Sequence, residues 1–218
     1  MKKTTKLDIF IAGVGGQGTL FASRVLGNYA VLKGMDCKLS EVHGMAQRGG
    51  SVVTHVRTGD KIYSPIVAEG AADALLAFEQ LEALRNAHMI KKNGFIITAV
   101  QKLPPAAAAN GTAVYPDNIL DRLKNITENL TAVDAQKLAL DAGNVKAANT
   151  VMLGALTKAM GLDIEVMRKA LKLTVPPAAL EVNMKALESG YSTGNREQGT
   201  GNREQGTGNR EQGTGNRC

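Results

Sequence analysis

The sequence predicts an α/β fold: a mostly parallel sheet with helices on both faces, an inserted β-hairpin and a group of C-terminal helices. Three observations carry this. The apolar run Ile9-Phe-Ile-Ala12 ends in a cluster of glycines, and a helix-compatible segment follows. Phe95 to Val100 is an uninterrupted apolar stretch, the composition of a strand covered on both faces. Strand-like runs then alternate with segments whose apolar residues recur at helical spacing, as in successive β-α units. Hydrophobic residues make up 44% of the 218 and aromatics only 4%, which suits Ala-rich layers and not an all-β sandwich.

Residues 7–12 read as the first strand. Thr19 to about Lys33 reads as a helix, because Leu20, Phe21, Val25, Leu26, Tyr29 and Leu32 form a wide apolar face and Gly34 is placed to stop it. Asp36 to Val42 reads as the second strand. The three together make a β-α-β unit, the start of a Rossmann-like sheet. Ser51 to Arg57 alternates and, after the turn Thr58-Gly-Asp-Lys, is expected to pair with a short strand over Ile62-Tyr-Ser-Pro65. Ala71 to about Ile90 reads as a helix with Leu75, Leu76, Phe78, Leu81 and Leu84 on its apolar stripe. Pro104 to Asn110 reads as a loop and Thr112 to Tyr115 as a short strand. Helices are expected at Ile119–Lys124 and Ala135–Ala142, with a strand at Leu130–Asp134 between them. Three further helices are expected at Asn149–Met160, Ile164–Leu173 and Ala179–Leu187, the last ended by Gly190.

Residues 1–192 are expected to form one domain. From Thr193 the heptapeptide Thr-Gly-Asn-Arg-Glu-Gln-Gly repeats three times before Thr-Gly-Asn-Arg-Cys218. No repeat position is apolar, so the period of seven makes no coiled-coil seam, and residues 193–218 read as a disordered tail. Its four arginines and three glutamates nearly cancel, so +5 of the net charge of +6 belongs to the rest of the chain.

That charge is modest and scattered. No run interleaves basic and aromatic residues, which argues against nucleic-acid binding. Two cysteines, Cys37 and Cys218, make neither a disulfide framework, nor a zinc pattern, nor the four thiolates of an iron–sulfur cluster. The Met-Lys-Lys start leads into a strand and not a signal peptide, and no stretch approaches the ~18 apolar residues of a membrane span. The cytoplasm is the expected location, and three Asn-x-Thr matches carry no glycosylation meaning there.

Two loops hold the candidate chemistry. Gly13, Gly15 and Gly18 fit G-x-G-x-x-G, with Gly16 and Gln17 inside it. Glycines at a strand-to-helix turn supply positive φ or allow close approach, and the helix start offers free N–H groups to an anion. The turn alone needs no ligand. The second loop begins at Glu41, where a dinucleotide site would place an acid, and adds His43, Gln47 and Arg48. Arg48 can recognise a phosphate or carboxylate, pair with Glu41, or be solvated; a guanidinium between glutamine and two glycines favours a specific contact. His43 can act as an acid or base, or satisfy loop backbone. His55 on its strand face reads as structural or interfacial, and His88 as a solvated or capping residue. Glu69, Asp73, Glu79 and Glu82 read as a solvated helix face. The two polar loops are expected to converge on one crevice.

Gly13-Val-Gly-Gly-Gln-Gly18, Glu41-Val-His-Gly-Met-Ala-Gln-Arg-Gly-Gly50 with the strand after it, and Tyr63-Ser-Pro65 resemble the gamma domain of 2-oxoacid:ferredoxin oxidoreductases, on the indolepyruvate branch. Leu75-Leu-Ala-Phe-Glu79, Ala147-Ala-Asn149 before Gly154-Ala-Leu156, and Val182-Asn183 fit as well. The resemblance covers about residues 7–191. It implies a subunit that is not catalytic alone. Its partner would be an alpha subunit carrying thiamine diphosphate, magnesium and the iron–sulfur clusters. The complex would convert aryl 2-oxo acids to aryl-acetyl-CoA and reduce ferredoxin, with coenzyme A as a substrate. Carried onto this chain, Gly13, Gly15, Gly16, Gln17 and Gly18 become the cofactor-facing loop, and Glu41, His43, Gln47 and Arg48 the crevice or subunit contact.

Overall fold

A computed structural model describes residues 6–44 and 49–193. Gln47, Arg48 and the repeats from residue 194 onward lie outside the described residues. The strands are β1 (Leu7–Val14), β2 (Asp36–His43), β3 (Ser51–Gly59), β4 (Ala72–Ala77), β5 (Ile90–Ala99) and β6 (Leu130–Val133). They form one sheet in the order β2-β3-β1-β4-β5-β6. β1, β4, β5 and β6 are mutually parallel, while β3 is antiparallel to both of its neighbours.

Eight helices complete the described fold: α1 (Thr19–Leu32), α2 (Gln80–Arg85), α3 (Ala106–Ala109), α4 (Ile119–Lys124), α5 (Ala135–Asp141), α6 (Ala148–Ala159), α7 (Ile164–Thr174) and α8 (Pro177–Thr193). Strand alternation divides the core into two layers. Ile9, Ile11, Leu76 and Ile97 point toward α1 and α5 to α8; Phe10, Ala12, Leu75 and Ile96 point toward α2 and α4. Ile9, Ile11, Leu75, Leu76, Ile96 and Ile97 are all fully buried. Each such side chain contributes about 1.5–3 kcal/mol of apolar burial. The α/β class with helices on both faces is therefore as expected.

Several elements differ from expectation. β1, α1 and β2 do not form an adjacent parallel unit, because β3 is inserted between β1 and β2. The hairpin is β2–β3, registered from Asp36↔Gly59 to His43↔Val52, and not β3 with residues 62–65. Residues 60–71 instead form a strap over the sheet. Asp36 Oδ2 accepts the Ile62 N–H at 2.8 Å, and Arg57 Nη1 donates to the carbonyls of Ser64 and Ile66, both at 3.1 Å. Val67 N–H donates to His55 Nδ1 at 3.1 Å. Burial holds the His55 pKa below the usual histidine value, and an accepting Nδ1 requires the neutral ring protonated on Nε2. His55 is thus structural; its ring also stands edge-on to Phe10, with centroids 4.9 Å apart.

The expected helix over 71–90 is the strand β4, the short helix α2 and a 3-10 turn at Ala87–Met89. Ala and Leu favour helices, but a central strand flanked by β1 and β5 overrides that preference. Residues 112–115 are not a strand, and the loop after Pro104-Pro105 contains the single turn α3. Gly190 does not end a helix. It lies inside α8, where a Cβ would overlap the Val151 carbonyl of α6.

Cys37 on β2 is half-buried, and burial, together with the adjacent Asp36 carboxylate, pushes its thiol up to about 11. Only the thiolate alkylates. Peptide mapping after iodoacetamide treatment at pH 8 is expected to show Cys37 modified about a hundredfold more slowly than an unperturbed thiol, accelerating about tenfold per pH unit up to pH ~11. Rapid labelling at pH 8 would show that the thiol is not shielded.

Candidate functional site

β1 and β4 lie side by side, yet α1 leaves β1 toward one face and α2 leaves β4 toward the other. Their carboxyl ends are the topological switch point of the sheet, where open α/β folds form a crevice. The glycine loop sits there. Gly16 and Gly18 have φ of +100° and +87°, the left-handed region that favours glycine. Gly13 needs space instead: a Cβ there would lie 3.1–3.3 Å from Gln17, Thr19 and Phe78. Gly15 N–H donates to the Gly50 carbonyl at 2.8 Å, joining the two loops by backbone. A Cβ on Gly18 would run into Asn149 Nδ2 at the start of α6.

Gln17 points inward. Its Oε1 accepts the Val14 N–H at 2.8 Å and its Nε2 donates to the Phe78 carbonyl at 3.0 Å. It braces the loop across the β1/β4 junction while bordering the cleft beside it, with one N–H and one oxygen lone pair still uncommitted. Glu41 is partly engaged too: its Oε2 accepts from Thr19 Oγ1 at 3.3 Å and Thr54 Oγ1 at 3.4 Å. A carboxylate beside the first turn of α1 is favoured by the helix dipole. His43 is exposed, with Nδ1 3.0 Å from the Gly44 carbonyl, to which it donates.

The crevice is double. One cleft, of about 370 Å³, is lined by Gly15, Gly16, Gly18, Thr19, Glu41 and His43. The other, about 220 Å³, is lined by Gly16, Gln17, Phe78, Gln101, Lys146 and Asn149. Gly16 borders both, and a Cβ on it would meet nothing within 4 Å. The glycine loop is a ridge between two hollows, where one crevice was expected. Glu41 and His43 share the larger hollow, while Gln47 and Arg48 lie outside the described residues.

The sequence did not reveal the polar segment behind the ridge. Glu79, Gln80 and Glu82 are 1%, 3% and 2% exposed, so two of the four acids read as a solvated face are buried. Glu79 caps α2 by accepting the Glu82 N–H at 2.9 Å, and also accepts the Leu103 N–H at 3.2 Å and the Tyr115 hydroxyl. Burial and that carboxylate push the Tyr115 phenol far above its ordinary pKa. Glu82 accepts Ser51 Oγ at 2.5 Å and Arg85 Nη1 at 2.6 Å. Gln80 Nε2 donates to the Val100 carbonyl at 2.9 Å. Asp73 lies in β4, accepting the Asp8 N–H at 2.7 Å and pairing with Lys91, and Glu69 stays exposed. His88 is exposed near the end of α2, as expected. Placing residues 72–77 in a strand would have exposed the pattern, since Glu79 then falls at its carboxyl end.

Among the described residues no helix is long and apolar enough to cross a membrane, and no group of three or more His, Cys, Asp or Glu is placed to hold a metal ion. The family described as pyruvate ferredoxin/flavodoxin oxidoreductase matches residues 8–193. The indolepyruvate oxidoreductase subunit IorB of Pyrococcus horikoshii is 45% identical over 190 residues, covering 84% of this chain and 93% of that protein. Its namesake in Thermococcus kodakarensis is 42% identical over the same shares. The crystal structure of the gamma subunit of a keto/oxoacid ferredoxin oxidoreductase from Geobacter sulfurreducens superposes with a TM-score of 0.64 at 27% identity, covering 86% of this chain and 98% of that one. A free-standing nucleotide-binding module is the weaker reading against these matches, and the chain belongs to the pyruvate ferredoxin/flavodoxin oxidoreductase family.

Proposed function

We propose that this chain is the beta subunit of an indolepyruvate (arylpyruvate):ferredoxin oxidoreductase. The observation that carries the proposal is the 45% identity to an indolepyruvate oxidoreductase subunit, sustained over 93% of that protein's length. The complex oxidatively decarboxylates an aryl 2-oxo acid to an aryl-acetyl-CoA and passes the electrons to ferredoxin. Thiamine diphosphate, when bound in the partner alpha subunit with magnesium, supplies the carbanion chemistry. Four-thiolate clusters need more than the two cysteines of this chain, so they too belong to the partner. The compartment is the cytoplasm.

In this reading the chain's own work is to form a wall. Gly13 to Gly18 make a ridge that lets a partner or ligand approach backbone closely, since nothing but open space lies beside Gly16. Glu41 and His43 line the hollow on one side. Gln47 and Arg48 extend the same sequence segment and supply polar contacts to the alpha subunit or to coenzyme A. Arg48→Ala in the assembled complex is expected to raise the KM for coenzyme A roughly tenfold, the loss of one charge-assisted contact. Steady-state kinetics with varied coenzyme A checks this, and an unchanged KM and kcat would remove Arg48 from the site. The function itself is tested by reconstitution: the purified chain alone gives no 2-oxo acid-dependent reduction of an electron acceptor, and the activity requires the alpha subunit.

A further inference from the structure

One short segment, residues 78–82, is bonded to three loops at the carboxyl end of the sheet. The Phe78 carbonyl holds Gln17 of the glycine loop at 3.0 Å. Glu79 holds Leu103 N–H and the Tyr115 hydroxyl of the 101–116 segment. Glu82 holds Ser51 Oγ, at the first residue of β3, at 2.5 Å. Ser51 follows Gly50, whose carbonyl accepts the Gly15 N–H at 2.8 Å. A continuous run of contacts therefore leads from a carboxylate that is 2% exposed to the backbone beside Gly16, the residue shared by both hollows. Ser51 is exposed and stands at the end of the β1–β3 ladder, opposite Val14, so its bond to Glu82 adds a side-chain anchor where the strand pairing runs out. The carboxylate end is fixed: Arg85 Nη1 stands at 2.6 Å from its other oxygen, and α2 carries it.

From this arrangement we infer that Glu82 is a positioning residue, which acts through Ser51 and the Gly50 carbonyl to set the Gly15–Gly16 ridge. A buried acid with a defined second partner is a stiff reference point, because moving it would leave a desolvated charge unpaired. The bearing of the ridge on turnover rests on the function proposed above, whereas the positioning itself can be measured on the full chain without any turnover.

Amide hydrogen exchange on the full-length protein separates the two. In Ser51→Ala the Gly15 amide is expected to exchange roughly five- to tenfold faster, the effect of one lost hydrogen bond on local opening. The Ile97 amide, in the sheet centre, is expected to keep its parent rate. Ser51→Thr, which restores the hydroxyl on a strand-compatible residue, returns Gly15 to the parent rate. An unchanged Gly15 rate in Ser51→Ala would overturn the inference. So would a parallel rise at Ile97, because that would report general loss of stability and not the setting of one loop. A complex that fails to turn over 2-oxo acids would instead overturn the functional reading and leave the exchange result standing.

Discussion

Gly154→Ala is expected to destabilise the domain by about 3–4 kcal/mol, which for a chain of this size lowers the thermal midpoint by about 10 °C. Helix propensity alone predicts the opposite sign, since Ala is better than Gly in a helix interior by about 1 kcal/mol. Sterics win because α6 and α8 pack backbone on backbone. A Cβ on Gly154 would overlap the Leu187 carbonyl and come within 2.7 Å of the Tyr191 nitrogen. Gly190 makes the reciprocal approach to Val151, so neither helix can retreat without uncovering the other contact. Thr150 Oγ1 and Asn183 Oδ1, 2.6 Å apart, fasten the same pair one turn away. Gly27→Ala is the control: its Cβ would sit 3.5 Å from Leu39 Cδ1, an ordinary contact, and the exchange is expected to be neutral or to stabilise by up to about 1 kcal/mol. Calorimetry on both variants checks the contrast, and equal midpoints would mean that the two helices are not in close backbone contact.

The same two glycines show where the sequence could and could not be read. Gly190 looked like a helix stop because a glycine after an apolar stretch usually is one, but close helix approach also selects glycine, and only the partner helix distinguishes the cases. β1, α1, β5, α6 and α7 were legible because each has a strong period or an unbroken apolar run of suitable length. β4 was not. Ala72-Asp-Ala-Leu-Leu-Ala77 is composed of good helix formers, and only its neighbours β1 and β5 make it a strand. That one error hid Glu79 and Glu82, which a helix would have placed on a wet face. The hairpin partner of β3 was misassigned for a related reason. Ile62 follows a turn-like Thr-Gly-Asp-Lys, yet its N–H is taken by Asp36 and not by a strand ladder.

At the candidate site, the sequence showed which residues converge but not what they do. Gly15, Gly16, Gly18, Glu41 and His43 do meet, and the Gly15–Gly50 bond joins the two loops. Gln17, grouped with the cofactor-facing loop, is also a brace held at both ends of its amide. Periodicity cannot show which way a loop side chain turns. Nor could it show that β3 would lie between β1 and β2, or that Glu41 would lean on Thr19 and Thr54 instead of waiting for a ribose.

Catalysis is the second large effect, expected to be close to all or none. This chain supplies a ridge, two hollows and braced loops, and in the function proposed above it works only beside a partner subunit. In that proposed function, activity belongs to the pair of subunits. The direct measurement is indolepyruvate- and coenzyme A-dependent reduction of ferredoxin, assayed with this chain alone, with the alpha subunit alone, and with the two titrated together. The expected result is no turnover by this chain alone and activity that rises on mixing to saturation at a fixed ratio. Turnover by this chain alone, or alpha-subunit activity unchanged by its addition, would contradict it.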